Sequence, residues 1–160
     1  MHTPLLSRAL KCGAVLALSA WLAGCATQQT RDYSAYRAAK PASILVLPPV
    51  NDAPEVQASA SVLSQATLPL AEAGYYVMPV TLMSETFKQN GLEIAGDIHE
   101  VAPAKLKEIF GSDAALYLRV TKYGTTYQVI QSTTIVSVEA RLVDLRTGDS
   151  LWDGRATASN

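Results

Sequence analysis

The chain has 160 residues, 13 of them basic and 14 acidic, for a formal net charge of −1. No stretch clusters Lys and Arg into the phosphate-neutralising surface that nucleic-acid binding needs, so no nucleic-acid partner is expected. Two cysteines and two histidines are too few for a disulfide scaffold or a thiolate metal centre.

The first eleven residues contain Arg8 and Lys11 and no acid. Residues 12–24 (CGAVLALSAWLAG) are apolar, but the run falls short of the about 20 residues that a spanning helix requires. A basic start, a short apolar core and a small-residue end are the three parts of a secretory signal. The end reads Leu22-Ala23-Gly24-Cys25. At all four positions it resembles the lipobox of bacterial lipoproteins. The resemblance implies that the Cys25 thiol receives a diacylglyceryl group, that the peptide is cut before it, and that the new amine is acylated. A chance buried helix does not account for position, charge, length and motif together. No cofactor is expected beyond this covalent diacylglycerol and N-acyl lipid. Two or more acyl chains make anchoring stable, each buried methylene contributing about 0.8 kcal/mol. Ala26, not Asp, follows Cys25. By resemblance to lipoprotein sorting, this implies the outer membrane with the domain in the periplasm, exposure at the cell surface staying open.

Removing residues 1–24 leaves 136 residues, with 11 basic against 14 acidic and a net charge of −3. That is one domain of ordinary size. Cys12 and His2 leave with the signal, so the folded part carries no free thiol and His99 is its one imidazole. Residues 25–42 are polar and read as a flexible tether from the lipidated cysteine. The domain is expected over residues 43–160.

Ile44–Leu47, closed by Pro48-Pro49, reads as a buried strand. A helix is expected from Pro54 or Glu55 to about Ala73, with Pro69 as a possible kink and Gly74 as its cap. Tyr75–Pro79 reads as a second strand. Thr81 and Glu85 fit a capping box for a helix over Leu82–Gln89. Residues 91–101 read as loop, and Pro103 opens a helix ended by Gly111. Ala115–Tyr123 and Thr133–Leu145 alternate as strands of a long hairpin turning at Gln131-Ser132. Arg146–Asp149 is a turn with Gly148 at positive φ, and Ser150–Ala156 is the last strand. The pattern is α+β: one mixed sheet of about five strands with helices packed on it. Its order is β-α-β-α-α-β-β-β, ending in an antiparallel meander. Such a sheet wants helix cover on its inner face, which makes a further helix beyond the last strand an expectation.

Two segments then carry a resemblance. Ser43–Val50 (SILVLPPV) is an apolar strand running into prolines. Residues 138–154 (VEARLVDLRTGDSLWDG) give a strand, an Asp, a T-G turn, then Leu-Trp-x-Gly. Together they resemble the periplasmic domain of CsgG-like curli-assembly lipoproteins, the N-terminal domain of TolB and LpoB-type peptidoglycan-synthase activators. The mature chain is most similar to a family of bacterial lipoproteins related to these, a match supported by residues 107–114 (KEIFGSDA) and the Tyr-rich 117–127 segment. The resemblance implies other envelope lipoproteins, CsgG-like ones among them, as partners, and a homo-oligomer as an option. One departure stands out: neither face of Tyr123–Gln131 is the continuous apolar band that a membrane-spanning strand needs.

Candidate chemistry is sparse. Asp97-Ile98-His99-Glu100 has metal-competent residues but no second His and no H-E-x-x-H spacing, so it reads as a polar loop with a surface His. No nucleophile elbow or Gly-rich phosphate loop occurs. No catalytic and no metal residue is therefore assigned. Tyr and Trp combine large area with a polar handle, and Tyr123, Tyr127 and Gln128 on the hairpin are the candidate partner surface. These readings favour a non-enzymatic, outer-membrane-anchored subunit or accessory factor of an envelope complex. The alternative is a small-ligand or peptidoglycan-binding module, for which a large apolar pocket would speak.

Overall fold

The computed structural model describes residues 32–127 and 132–159. The apolar run at its centre sets the architecture. Strand β1 (Ser43–Val46) lies between two parallel neighbours. These are β3 (Tyr76–Val77) on one side and β4 (Ala114–Tyr127) on the other. Buried on both faces, β1 has no polar side to show, as its sequence requires. β4 pairs antiparallel with β5 (Ser132–Asp144), and β5 with β6 (Ser150–Ser159). The order is β3-β1-β4-β5-β6, with the short β2 (Val50–Asn51) also on β4. The fold is the expected mixed α+β sheet, with six strands and an antiparallel C-terminal meander.

Pro48 and Pro49 explain the additional strand. Proline donates nothing to a ladder, so the pairing of β1 with β4 lapses there and resumes at Val50↔Arg119. The backbone bonds Leu47 N to Leu116 O at 3.0 Å and Asp52 N to Val120 O at 2.9 Å bracket the gap.

Helices cover the two faces unequally. Helices α3 (Val80–Gln89), α4 (Ala95–His99) and α5 (Pro103–Phe110) carry Met83, Phe87, Ile98 and Leu106 onto Leu45, Leu47, Tyr117 and Val143. Phe87 and Phe110 meet at a ring distance of 5.0 Å. On the opposite face α2 (Ala58–Glu72) and α1 (Ser34–Ala39) pack against Ile44, Leu116 and Leu142. Each fully buried Leu, Met or Phe contributes about 1.5–3 kcal/mol.

Several local expectations change. Residues 34–39, read as the end of a tether, are helical, and the compact unit begins at Tyr33. Tyr36 and Ala39 pack against the core, which six residues of isolated helix could not sustain alone. Residues 95–99, read as loop, form α4. The Thr81–Glu85 capping box does not form, because α3 starts two residues earlier with Pro79 at its N-cap and no side-chain cap. Helix α2 continues through Pro69. It ends in a Schellman motif: Gly74 N bonds Ala71 O at 3.0 Å and Tyr75 N bonds Leu70 O at 3.2 Å. Gly74 adopts φ 94° there, as no β-carbon opposes it. Ser132 is not a turn residue but pairs with Tyr127, and Gln131 lies outside the described residues.

Candidate interaction surface

Cys25 and its lipobox residues Leu22, Ala23 and Gly24 lie outside the described residues, as does Gln128. Tyr127 closes β4 opposite Ser132. Tyr123 follows an irregularity in β4 between Val120 and Lys122, which re-aims the strand. Its ring is half-buried in a hollow of about 400 Å³, with Val62 and Ala66 of α2 and Val136 and Val138 of β5. Tyr123 thus packs on the α2 face of the sheet.

His99 is not the surface residue expected from the sequence. It is half-buried at the end of α4, and its Nε2–H donates to the Pro48 carbonyl at 2.9 Å. Its ring stands edge-on to Tyr117, 5.2 Å between centroids. Arg141 sits 5.1 Å over the same tyrosine ring. Burial lowers the His99 pKa. The positive heads of Arg119 and Arg141 add to this, while the Pro48 bond and Glu100 oppose it. Beside it, the Ser59 hydroxyl donates to Pro49 O at 2.7 Å. Side chains from two helices therefore satisfy the two proline carbonyls at the break in the strand, a structural role. Among the described residues no group of three His, Cys, Asp or Glu is placed to hold a metal ion.

Two aspartates close the frame. Asp144, 3% exposed, accepts from Arg146 N at 2.7 Å and from the Arg146 guanidinium at 2.9 Å. The guanidinium, then the backbone N–H groups of Arg146 and Thr147, hold its pKa below the usual carboxylate range against the opposing pull of burial. Gly148 turns the chain at φ 81°, and Trp152 returns opposite Leu142. The Asp144…Gly148…Trp152 pattern is thus a turn and its anchor. Asp113 joins the starts of β1 and β4: its carboxylate accepts from Ala42 N at 3.0 Å and Ser43 N at 3.2 Å. The bond from Lys107 is the leading cause of its lowered pKa.

Two features escape the sequence reading. The first is an apolar hollow of about 640 Å³ between α1 and α2, lined among others by Tyr36, Leu70, Leu116, Leu142 and Trp152. The spacing Tyr33-x-x-Tyr36-x-x-Ala39 was the available signal for the helix that walls it. The second is the outer edge of β6. It ends the strand order among the described residues, and its residues 155–159 are exposed. An exposed strand edge of this kind can accept a further strand.

With this geometry in place, residues 31–160 match the family described as "Putative lipoprotein GNA1162-like". The chain belongs to this family. The "Putative lipoprotein NMB1124/NMB1162" of Neisseria meningitidis serogroup B is 54% identical over 146 residues, 90% of this chain and 66% of that relative. The chain thus spans just under two thirds of that relative's length. The crystal structure of lipoprotein GNA1162 from Neisseria meningitidis is 54% identical. It superposes with a TM-score of 0.72 over 75% of this chain and 83% of that one. At 18% identity, the LpoB C-terminal domain from Escherichia coli has a TM-score of 0.54 over 75% of this chain and 84% of that one. At 16%, the PelC dodecamer from Paraburkholderia phytofirmans has a TM-score of 0.54 over 74% and 71%. These last two share the fold.

Proposed function

We propose that this chain is an envelope lipoprotein held in the outer membrane by acyl chains on Cys25. It acts without catalysis, as a subunit or accessory factor in an assembly of envelope proteins. Its membership of a lipoprotein family and the lipobox support the anchor. The single observation that carries the mode of action is the exposed end of β6, residues 155–159, which pairs on one side only among the described residues and to which a partner strand can add. Tyr123, Tyr127 and Gln128, singled out in the sequence of the β4–β5 segment, are proposed as a second contact, separate from that edge. The partner belongs to the same class of envelope lipoproteins, and the CsgG-like and TolB-like kinship read from Val138–Gly154 is part of this proposal. A second copy of the chain is the other strand that fits the edge; the PelC relative is described as a dodecamer.

The test is native mass measurement of the C-terminally tagged protein from envelopes in mild detergent. Wild type is expected in a stoichiometric assembly. Thr157→Pro, which removes an outward-facing backbone donor of β6 opposite Ser137, is expected to release the monomer while unfolding within a few degrees of wild type. Wild-type protein recovered alone as a monomer overturns the proposal.

A further inference from the structure

The hollow on the α2 face carries an inference beyond the partner reading. Its floor is Leu116, Ala140 and Leu142, and its walls come from Leu70 and Tyr36, with Trp152 beside them; no charged residue lines it. Next to it lies a second hollow, of about 530 Å³, where Arg37 and Lys40 sit with no acidic residue in the lining. The two share Tyr36 and Tyr75, whose hydroxyls hydrogen-bond to each other. An apolar hollow thus borders a cationic one, with the Tyr36–Tyr75 pair between them.

We propose that the paired hollows bind a single-chain anionic amphiphile drawn from the surrounding membrane. Its acyl chain lies on the sheet, and its carboxylate or phosphate head meets Arg37 and Lys40. The volume falls in the range of small-molecule sites, roughly 300–1,000 Å³. Apolar surface facing water favours an apolar occupant. A glycan would leave most of its hydroxyls unpaired there, because tyrosine hydroxyls and one indole are the only side-chain polar groups in the lining. The two cations supply the complementary charge for an anionic head. The thioether-linked lipid expected on Cys25 carries no anion, so it answers only half of the site.

Trp152 provides the readout. It lines the hollow and is the one tryptophan left once the signal, with Trp21, is removed. The mature chain, residues 25–160 made without the signal, is titrated with laurate below its micelle concentration. Saturable, one-to-one change in Trp152 emission is expected. A chain two methylenes shorter binds roughly 15-fold weaker, from about 0.8 kcal/mol per methylene. Arg37→Glu combined with Lys40→Gln, both on exposed positions, weakens laurate about tenfold and leaves the neutral glycerol ester of laurate unaffected. No saturable change, or binding indifferent to both chain length and charge reversal, overturns the proposal. So does a dimer whose hollow laurate does not enter, since a second copy is then the occupant.

Discussion

Replacing His99 by Ala tests whether the break at Pro48-Pro49 is held by side chains. The substitution removes the donor to Pro48 O and the edge contact with Tyr117. A carbonyl left without a donor at this partly buried site costs about 1–3 kcal/mol, and an aromatic edge contact about 0.5–1.5 kcal/mol. The expected loss is about 2–4 kcal/mol, a fall in Tm of roughly 3–5 °C per kcal/mol for a domain of this size. Urea unfolding of the mature chain, followed through Trp152, measures it. His99→Gln, which keeps an N–H donor, should recover part of the loss. The pH dependence has a definite sign: the folded pKa lies below the unfolded value, near 6.5. The unfolded chain then binds the proton more readily. The contribution of His99 is therefore full above that value and is lost as pH falls through the folded pKa. His99→Ala should flatten that slope. A variant within about 0.5 kcal/mol of wild type, with the slope unchanged, refutes the reasoning.

Other outcomes follow from the same geometry. Asp144→Ala removes the acceptor of the Arg146 backbone N–H and should cost about 2–3 kcal/mol in urea unfolding. Most of that comes from the backbone bond, because Arg146 is largely exposed. Asp113 and Asp144 both have lowered pKa values. Their contribution is present above the ordinary aspartate range and lost as pH falls through the folded values, so acid titration of Asp144→Ala should show a shallower loss than wild type. Leu106→Ala opens a cavity at a fully buried position and should cost about 2–5 kcal/mol by the same assay. Gly74→Ala places a β-carbon at φ 94° and should lower stability by about 1 kcal/mol.

The C-terminal meander was legible because β4 and β5 alternate over many residues and the Asp144–Gly148 turn has its own chemistry. Helix α5 was legible for a similar reason: Pro103 starts it and Gly111 ends it. The elements that escaped are short. Strand β2 has two residues and exists only because β4 extends past the proline break. Helix α1 has six, and packing of Tyr36 stabilises it, not propensity. His99 read as a surface residue because its partner, Pro48 O, is 51 positions away in sequence. For the same reason the α1–α2 hollow left no local trace: residues from six strands and helices meet there.

The account rests on Cys25, and the intact mass of the protein extracted from envelopes tests it most directly. The predicted result is residues 25–160 carrying a diacylglyceryl group and one further acyl chain, with Cys25→Ala left unprocessed. An unmodified chain of residues 25–160 in the soluble fraction, or residues 1–160 retaining the signal, would contradict it.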